Sequence, residues 1–350
     1  MKPRIALFDA KPYDREFFDS SNREFGYKIK YLAYKLTPDT ASLAKGYDVA
    51  CSFVNDNVNS EAVDLLVQSG VKLLALRSAG YNHIDLKSAY KRLPVTRVPE
   101  YSPYAVAEHT VALTLALNRK IHKAYSRTRD GDFRLSGLLG FDMFGKTAGI
   151  IGSGKIGILV IKILKGFGMR LLVYDLYPNQ ALAQEIGFEY VSLEEIYAAS
   201  DIISLHCPLT PQNVHLINGD SIAAMKDGVI LVNTSRGKLI DTRGLVDGLK
   251  TGKIGGAALD VYEEEAEYFF EDYSSSVIGD DVLARLLTFP NVLITAHQAF
   301  FTREALCKIA QVTLSNVQLF FEKNELPNEV CYRCGESSCR KKTEGRCWKG

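Results

Sequence analysis

Short apolar runs alternate with longer amphipathic stretches along most of the chain. The runs have the length of buried strands, and the stretches between them carry apolar residues at helical spacing. Strands that alternate with helices are typical of a parallel sheet covered by helices. The strands that we predict are 4–8, 28–32, 49–53, 73–76 and 95–98, followed by 149–151, 171–174, 202–205, 229–233, 257–259 and 292–295.

Two prolines, Pro99 and Pro103, separate these two series of strands, and an apolar helix at 104–118 follows them. A chain of 350 residues suggests two domains, at about 100 to 200 residues per domain. A last amphipathic helix, 303–322, has no strand left to follow in the second sheet, so we expect it to return to the first. The domains that we predict are 1–101 with 300–330, then 102–299, and a C-terminal tail at 331–350.

The strand at 149–151 leads into a glycine-rich turn and then into a helix. Gly152 and Gly154 allow the backbone to turn tightly and to approach a pyrophosphate, and Gly157 allows the helix to pack close to the strand. Lys155 and Ile156 begin that helix, whose N-terminus faces the phosphate charge. A glycine-rich turn alone is common, but here the strand, the helix and a later acidic residue are all present. The pattern therefore predicts dinucleotide binding.

That acidic residue, Asp175, ends the next predicted strand. A carboxylate at this place accepts hydrogen bonds from the ribose hydroxyls and repels a 2′-phosphate. No basic residue follows it closely, since Leu176, Tyr177 and Pro178 come next. The sequence therefore predicts NAD rather than NADP as the cofactor.

The composition is that of an ordinary globular protein, with 47% hydrophobic and 24% charged residues. The first residues do not resemble a signal peptide, and no apolar run approaches the length of a membrane helix. We therefore expect a cytoplasmic protein with no membrane partner. Basic residues are concentrated in the tail, and the rest of the chain is weakly acidic, which does not favour a nucleic acid partner.

Polar residues follow three successive strands of the second series, where a substrate beside a nicotinamide would lie. Arg236 follows the first of these strands, three glutamates at 263–265 follow the second, and His297 follows the third. Arginine can hold a carboxylate through two hydrogen bonds, and histidine can donate a proton to a carbonyl oxygen. Taken alone, Arg236 is better explained by a surface ion pair and His297 by a structural role in its loop, but the three groups together favour reduction of a 2-keto acid. Spacing does not decide among the three glutamates.

Other residues give weaker indications. His206 and Cys207 end a strand next to Pro208 and are candidates for the cofactor site, although a core role explains Cys207 equally well. The stretch 77–80, which contains Ala79 and Gly80, could offer N–H groups to an anion or could be only a turn. Tyr101, between the predicted domains, could contact substrate or only pack. Of the seven cysteines, we expect Cys51, Cys207 and Cys307 to be small core residues.

Nine stretches of the chain match a known pattern: 53–56, 75–80, 106–109, 145–149, 203–211, 232–237, 259–263, 269–272 and 296–302. Through them the chain resembles the D-2-hydroxyacid dehydrogenase family over about 4–330, and more closely its fermentative NAD-dependent D-lactate dehydrogenases. The resemblance implies an α/β fold with two Rossmann-like domains. One is a doubly wound NAD-binding domain at 102–299, and it is inserted in a flavodoxin-like substrate domain at 1–101 and 300–330.

The same resemblance implies roles for individual residues. Arg236 would anchor the substrate carboxylate, His297 would be the general acid and base, and Glu265 would pair with the histidine. Phe300 would form an aromatic wall beside the substrate. The further substrate contacts that it implies are Ala79, Gly80 and Tyr101, and the further cofactor contacts are Cys207, Pro208, Asn213, Thr234, Asp260, His297 and Ala299.

The reaction implied by the resemblance is reduction of pyruvate by NADH to D-lactate. It also implies a homodimer or a dimer of dimers, joined through the NAD-binding domains. Two alternatives remain: an enzyme for a larger 2-keto acid, such as phenylpyruvate or 2-ketoisocaproate, and an NAD-sensing corepressor-like binding protein. The acidic insert at 269–272 and the lack of long disordered segments argue against the binding protein.

The tail at 331–350 lies outside this resemblance. It contains Cys331, Cys334, Cys339 and Cys347, with the spacing C-x2-C-x4-C-x7-C. In a cytoplasmic protein this pattern favours a metal site over disulfides, and four thiolates suit tetrahedral zinc. An iron–sulfur cluster and a flexible tail without metal are the alternatives.

Overall fold

The structure is a computed structural model, and it describes residues 2–334, 339, 341 and 345–348. The other residues of the predicted tail lie outside the described part of the chain. Two compact units are present. The first unit is Met1–Ser102 with Phe301–Gly350, and the second unit is Pro103–Phe300.

The first unit has a sheet of six strands within its described residues. Its strands are β1 (Arg4–Leu7), β2 (Lys28–Tyr31), β3 (Val49–Ser52), β4 (Leu73–Leu76), β5 (Val95–Thr96) and β13 (Glu329–Val330). Its α-helices are α1 (Pro12–Phe25), α2 (Ser60–Gln68), α3 (Leu86–Ala89) and α12 (Arg303–Gln318), with a 3-10 turn at Ala41–Ala44 and a π turn at Leu319–Lys323. The strand order is β13-β5-β4-β3-β1-β2, and only β13 is antiparallel to its neighbour within the described strands. The order β2-β1-β3-β4-β5 is that of a flavodoxin-like sheet, as predicted.

The second unit has a parallel sheet of seven strands among the residues described. Its strands are β6 (Thr147–Ile151), β7 (Arg170–Tyr174), β8 (Glu189–Tyr190), β9 (Ile202–Leu205), β10 (Val229–Asn233), β11 (Ile254–Leu259) and β12 (Val292–Ile294). Its α-helices are α4 (Pro103–Arg119), α5 (Ile121–Arg129), α6 (Lys155–Gly166), α7 (Gln180–Ile186), α8 (Leu193–Ala199), α9 (Gly219–Ala223), α10 (Thr242–Thr251) and α11 (Asp281–Thr288). The order β8-β7-β6-β9-β10-β11-β12 is doubly wound and reverses between β6 and β9, where such sheets bind their ligands. The predicted fold class is confirmed.

Side chains along each strand point alternately to the two faces of the sheet, which explains why helices cover both faces. In β1, Ile5 and Leu7 pack with Leu314 of α12, whereas Ala6 on the same strand packs with Leu66 of α2. Successive side chains of a strand point to opposite faces, so an apolar strand needs cover on both sides. The α12 helix supplies part of that cover in the first unit.

The structure differs from the sequence predictions at several places, among them Ser102, which lies in the first unit, and Phe300, which lies in the second. The short strands β8 and β13 were not predicted, because two residues carry too little pattern to be recognised. The prediction for Cys307 was wrong: it is exposed on α12, whereas Cys51 is buried and Cys207 is partly buried.

Within the described residues, none of the helices has the length and apolar character that crossing a membrane requires.

Candidate active site

Three glycines shape the turn between β6 and α6, each for a different reason. Gly152 has a φ of 104°, and a Cβ atom there would lie 2.6 Å from the backbone nitrogen of Cys207. A Cβ atom on Gly157 would lie 2.0 Å from the carbonyl oxygen of Gly152. Around Gly154, the N-cap of α6, a Cβ atom would meet nothing within 4 Å. Packing within the fold therefore requires glycine at positions 152 and 157. The open space at Gly154 fits a pyrophosphate that approaches the helix N-terminus.

Asp175 lies just beyond β7, beside the same turn. Its carboxylate accepts hydrogen bonds from the N–H and the hydroxyl of Ser153, at 2.6 and 2.8 Å, and from the N–H of Tyr177 at 2.9 Å. Partial burial acts to raise the pKa of Asp175, but the hydrogen bonds from Tyr177 and Ser153 outweigh it and the pKa lies below its ordinary value. The group is therefore an anion at neutral pH, as an acceptor for ribose hydroxyls requires.

The loop after β9 carries Cys207, Pro208 and Asn213. The side-chain amide of Asn213 donates to the carbonyl oxygen of Pro208 at 2.8 Å and lies 3.8 Å from the Cys207 sulfur. Its side-chain oxygen accepts from the N–H of Thr210 at 2.7 Å. Burial raises the pKa of Cys207 to about 11, so the thiol is neutral. Asn213 thus holds the loop in shape at the carboxyl edge of the sheet.

Arg236 follows β10 and is partly buried. Its carbonyl oxygen accepts a hydrogen bond from the Asn233 side chain at 2.9 Å, and its guanidinium donates to the carbonyl oxygen of Ser235 at 2.6 Å. A Cβ atom on the next residue, Gly237, would lie 2.0 Å from the carbonyl oxygen of Tyr262, so only glycine fits there. Among the described residues, no carboxylate forms an ion pair with the guanidinium. It can therefore bind an anionic ligand.

His297 and Glu265 form a hydrogen-bonded pair. The Nδ1 atom of His297 lies 2.8 Å from Oε1 of Glu265, and both side chains are 19% exposed. The other oxygen of Glu265 accepts from the N–H of Tyr262 at 3.0 Å, which fixes the carboxylate. The ring nitrogen Nε2 of His297 is not used by this pair. The arrangement can hold a proton on that nitrogen and orient it.

The backbone of His297 adopts a left-handed conformation, with a φ of 51°. This conformation is uncommon outside glycine and persists where surrounding contacts impose it. Asp260 supplies those contacts: its carbonyl oxygen accepts from the His297 N–H at 2.7 Å, and its carboxylate accepts from the N–H groups of Gln298 and Ala299 at 2.9 and 2.8 Å. Asp260 is fully buried. It therefore holds the loop that presents the histidine.

The other two glutamates have different partners. Glu263 lies 2.6 Å from Nε2 of His215 and also accepts from the Thr242 hydroxyl at 3.0 Å. Burial acts to raise the pKa of Glu263, but the bonds from His215 and Thr242 outweigh it and lower the pKa. Glu264 is exposed and lies 3.8 Å from Lys238. Of the three, Glu265 is the one that the structure places against His297.

A family model described as D-isomer specific 2-hydroxyacid dehydrogenase, NAD binding domain, matches residues 111–299. The chain belongs to this family. Residues 111–299 are its NAD-binding domain, and NAD is the cofactor of the family.

Individual relatives agree with this assignment. The D-lactate dehydrogenase of Escherichia coli is 50% identical over 328 residues, which cover 93% of this chain and 99% of that protein. A 2-hydroxyacid dehydrogenase homolog of Haemophilus influenzae is 51% identical over 315 residues, with 90% and 95% covered. The solved structure of the pyruvate reductase of Chlamydomonas reinhardtii superposes with a TM-score of 0.86 at 43% identity, with 91% and 96% covered.

Three further residues, which the sequence analysis did not assign to the site, form hydrogen bonds with the predicted site residues or with one another. The Thr295 hydroxyl donates to Asp260 at 2.6 Å, and Nε2 of His109 lies 3.1 Å from that hydroxyl and 3.5 Å from Asp260. The hydroxyl of Thr110 lies 2.7 Å from the hydroxyl of Thr234, one of the predicted cofactor residues. The stretch 106–109 on α4 was part of the resemblance seen in the sequence. Nothing in the sequence, however, connects α4 with Thr234 or Thr295, which come more than 100 residues later.

The remaining predicted substrate residues are divided between the two units. Ala79 and Gly80 follow β4 in the first unit, where the carbonyl oxygen of Ala79 accepts from Arg97 at 3.0 Å and that of Gly80 accepts from Ser78 at 2.8 Å. Tyr101 also belongs to the first unit, whereas Phe300 is buried at the end of the second. Their roles in substrate binding remain predictions.

The 2-hydroxyacid dehydrogenase site also contains a partly buried histidine, His206, just after the end of β9. Burial lowers the pKa of His206 from its ordinary value of 6.5 to about 4. Between these values the unfolded chain binds a proton that the folded chain does not, so the stabilisation is complete above pH 6.5 and is lost as the pH falls towards 4.

We expect the free energy of unfolding to decrease by about 2 kcal/mol more in the unaltered protein than in His206→Gln between pH 7 and pH 5, because glutamine does not titrate. Urea unfolding at the two pH values measures both differences. Equal decreases in the two proteins would contradict the lowered pKa of His206.

Proposed function

We propose that the protein reduces pyruvate to D-lactate with NADH as the hydride donor. The observation that carries the proposal is the pair of His297 and Glu265, held in the same NAD-binding unit as Arg236. The names of the relatives support the substrate, since one is a D-lactate dehydrogenase and another a pyruvate reductase.

Arg236 binds the carboxylate of pyruvate. The planar guanidinium can donate two parallel hydrogen bonds to a carboxylate, which fixes the orientation of the keto group as well as its position. The rigid turn at Asn233 and Gly237 keeps the arginine backbone in place. The methyl group of pyruvate needs no polar partner.

His297 provides the proton. As an imidazolium, it holds the proton on Nε2 and donates it to the keto oxygen as that oxygen becomes the hydroxyl of lactate. Glu265 fixes the orientation of the ring through Nδ1. In the direction of lactate oxidation, the neutral ring accepts the hydroxyl proton.

NADH, when bound, supplies the hydride to the keto carbon. The residues that would hold it are those at the carboxyl ends of the second sheet. The turn at 152–157 would receive the pyrophosphate and Asp175 the adenosine ribose, while Thr234, Asp260 and Ala299 would lie on the nicotinamide side. A zinc ion, which we propose for the C-terminal cysteines, takes no part in this reaction.

A panel of 2-keto acids tests the proposed reaction. Pyruvate, phenylpyruvate and 2-ketoisocaproate are each supplied with NADH or NADPH, and oxidation of the cofactor is followed by absorbance. We expect the highest kcat/KM with pyruvate and NADH, and D-lactate on chiral chromatography. A larger keto acid as the best substrate, or L-lactate as the product, would contradict the proposal, and NADH binding without any turnover would favour an NAD-sensing binding protein.

We also propose a homodimer, or a dimer of dimers, joined through the NAD-binding unit. Four large apolar side chains are exposed in one segment of this unit: Phe133, Leu135, Leu139 and Phe144. Several large apolar side chains exposed in one segment are typical of an interface. Light scattering should give at least about twice the chain mass of 38.9 kDa, and a monomer at micromolar concentration would contradict the proposal.

A further inference from the structure

The four cysteines of the C-terminal segment meet in one cluster. The sulfur atoms of Cys331, Cys334, Cys339 and Cys347 all lie within 4.8 Å of one another. Cys331 and Cys347 are buried, the other two are partly buried, and none of the four is in a disulfide. Four thiols in such close contact have no role in the proposed reaction.

We propose that this cysteine cluster binds a single zinc ion. Four thiolates around one zinc, at Zn–S distances of about 2.3 Å, form a tetrahedron with sulfurs about 3.8 Å apart, a separation compatible with the cluster. A four-iron cluster holds each cysteine on a different iron, which requires sulfurs farther apart than ligands of one ion. Two disulfides would join the sulfurs in pairs and would not require all four to converge.

Hydrogen bonds preform part of this site. The N–H of Cys331 lies 3.2 Å from the sulfur of Cys334, and the N–H of Cys334 donates to the carbonyl oxygen of Cys331 at 3.0 Å. These two contacts close the C-x2-C turn and place both sulfurs on one side. An N–H that points at a sulfur stabilises negative charge on it, as outer contacts of metal ligands commonly do.

The site is anchored on the first unit through β13. The carboxylate of Glu329 accepts from the N–H of Cys347 at 2.5 Å, and its carbonyl oxygen accepts from the ammonium group of Lys341 at 2.5 Å. Glu329 itself pairs with Thr96 of β5 in the antiparallel ladder. Contacts from Lys341 and Cys347 thus converge on one residue of β13.

Aromatic and apolar contacts extend this anchor. The ring of Tyr332 packs edge to face on Tyr90, with centroids 5.1 Å apart, and Cys334 packs against the core cluster that contains Val95 and Val330. β13 is the edge strand of the sheet, and Lys341 and Cys347 of the cysteine segment both contact it. We infer that the zinc is structural and holds this segment and β13 on the edge of the first sheet.

Metal analysis of the full-length protein tests the site. Protein produced with added zinc and purified without chelators should contain about one zinc per chain. Cys339→Ser removes one ligand and should lose most of the zinc, whereas Cys307→Ser, at an exposed cysteine on α12, should retain it. Equal zinc in Cys339→Ser and the unaltered protein, or no zinc in either, would overturn the proposal. Iron in place of zinc would overturn the choice of metal.

A second measurement does not depend on the folding of a variant. The unaltered protein is loaded with Co²⁺, and four thiolate ligands should give an intense sulfur-to-cobalt absorption in the near ultraviolet. Cobalt bound without this absorption, or no cobalt bound, would overturn a four-cysteine site. Chelation of the zinc should also lower Tm, because the metal binds the folded chain and stabilises it. None of these measurements uses pyruvate reduction, so their failure is distinguishable from failure of the proposed reaction.

Discussion

His297→Gln should lower kcat for pyruvate reduction by about 10²- to 10⁴-fold, the range that general acid–base catalysis contributes. Glutamine keeps a side chain of similar length that can still contact Glu265, but it cannot donate a proton to the keto oxygen. Most of the NADH affinity should remain, since the turn at 152–157 and Asp175 are unchanged and His297 is one cofactor contact among several. Steady-state NADH oxidation and NADH fluorescence titration measure the two effects separately.

His215→Gln is the matched control for this variant. His215 also lies in the second unit, pairs with a glutamate at 2.6 Å, and has a left-handed φ of 55° compared with 51° at His297. Any general cost of glutamine in this backbone conformation, or of losing a histidine–glutamate pair, is therefore present in both variants. Similar kcat values for the two variants would contradict the role of His297 in proton transfer.

Arg236→Lys should lower kcat/KM for pyruvate by about 10- to 150-fold, mainly through a higher KM. Lysine keeps the positive charge but presents a single ammonium group, so the paired contact with the substrate carboxylate is lost. The expected range corresponds to one charge-assisted hydrogen bond, at about 1.5 to 3 kcal/mol. Initial rates over a range of pyruvate concentrations give kcat and KM for the variant.

Arg243→Lys provides the corresponding control, because Arg243 is an exposed arginine of α10 in the same unit. It should leave both kinetic constants unchanged. If Arg236→Lys also left KM unchanged, Arg236 would not be the carboxylate anchor. A decrease in NADH affinity equal to the decrease in pyruvate affinity would place the arginine at the cofactor instead.

Local patterns in the sequence were sufficient for the fold and for the cofactor. Buried strands such as β4 consist of apolar residues throughout, and the glycine turn with Asp175 lies within a short stretch of chain. Such features depend on neighbours in the sequence, so their physical requirements can be recognised there. The exposed position of Cys307 could not be recognised, because a cysteine among apolar residues looks the same on either face of a helix.

The choice among the three glutamates illustrates the limit of spacing. Glu263, Glu264 and Glu265 are adjacent, and family resemblance, rather than spacing, favoured the last of them. In the structure, Glu265 meets a histidine 32 positions away and Glu263 meets another 48 positions away. The path of the loop after β11 determines these partners, and that path depends on packing.

The sequence by itself determined two α/β units, NAD as the cofactor and the residue types needed to reduce a 2-keto acid. Only the tertiary structure decided which groups hold the candidate catalytic residues in place. Asp260 bonds to the loop of His297, supported by Thr295 and His109. Patterns of local burial are repeated along a chain and can be read from it, whereas a contact between distant residues exists only after both have been packed.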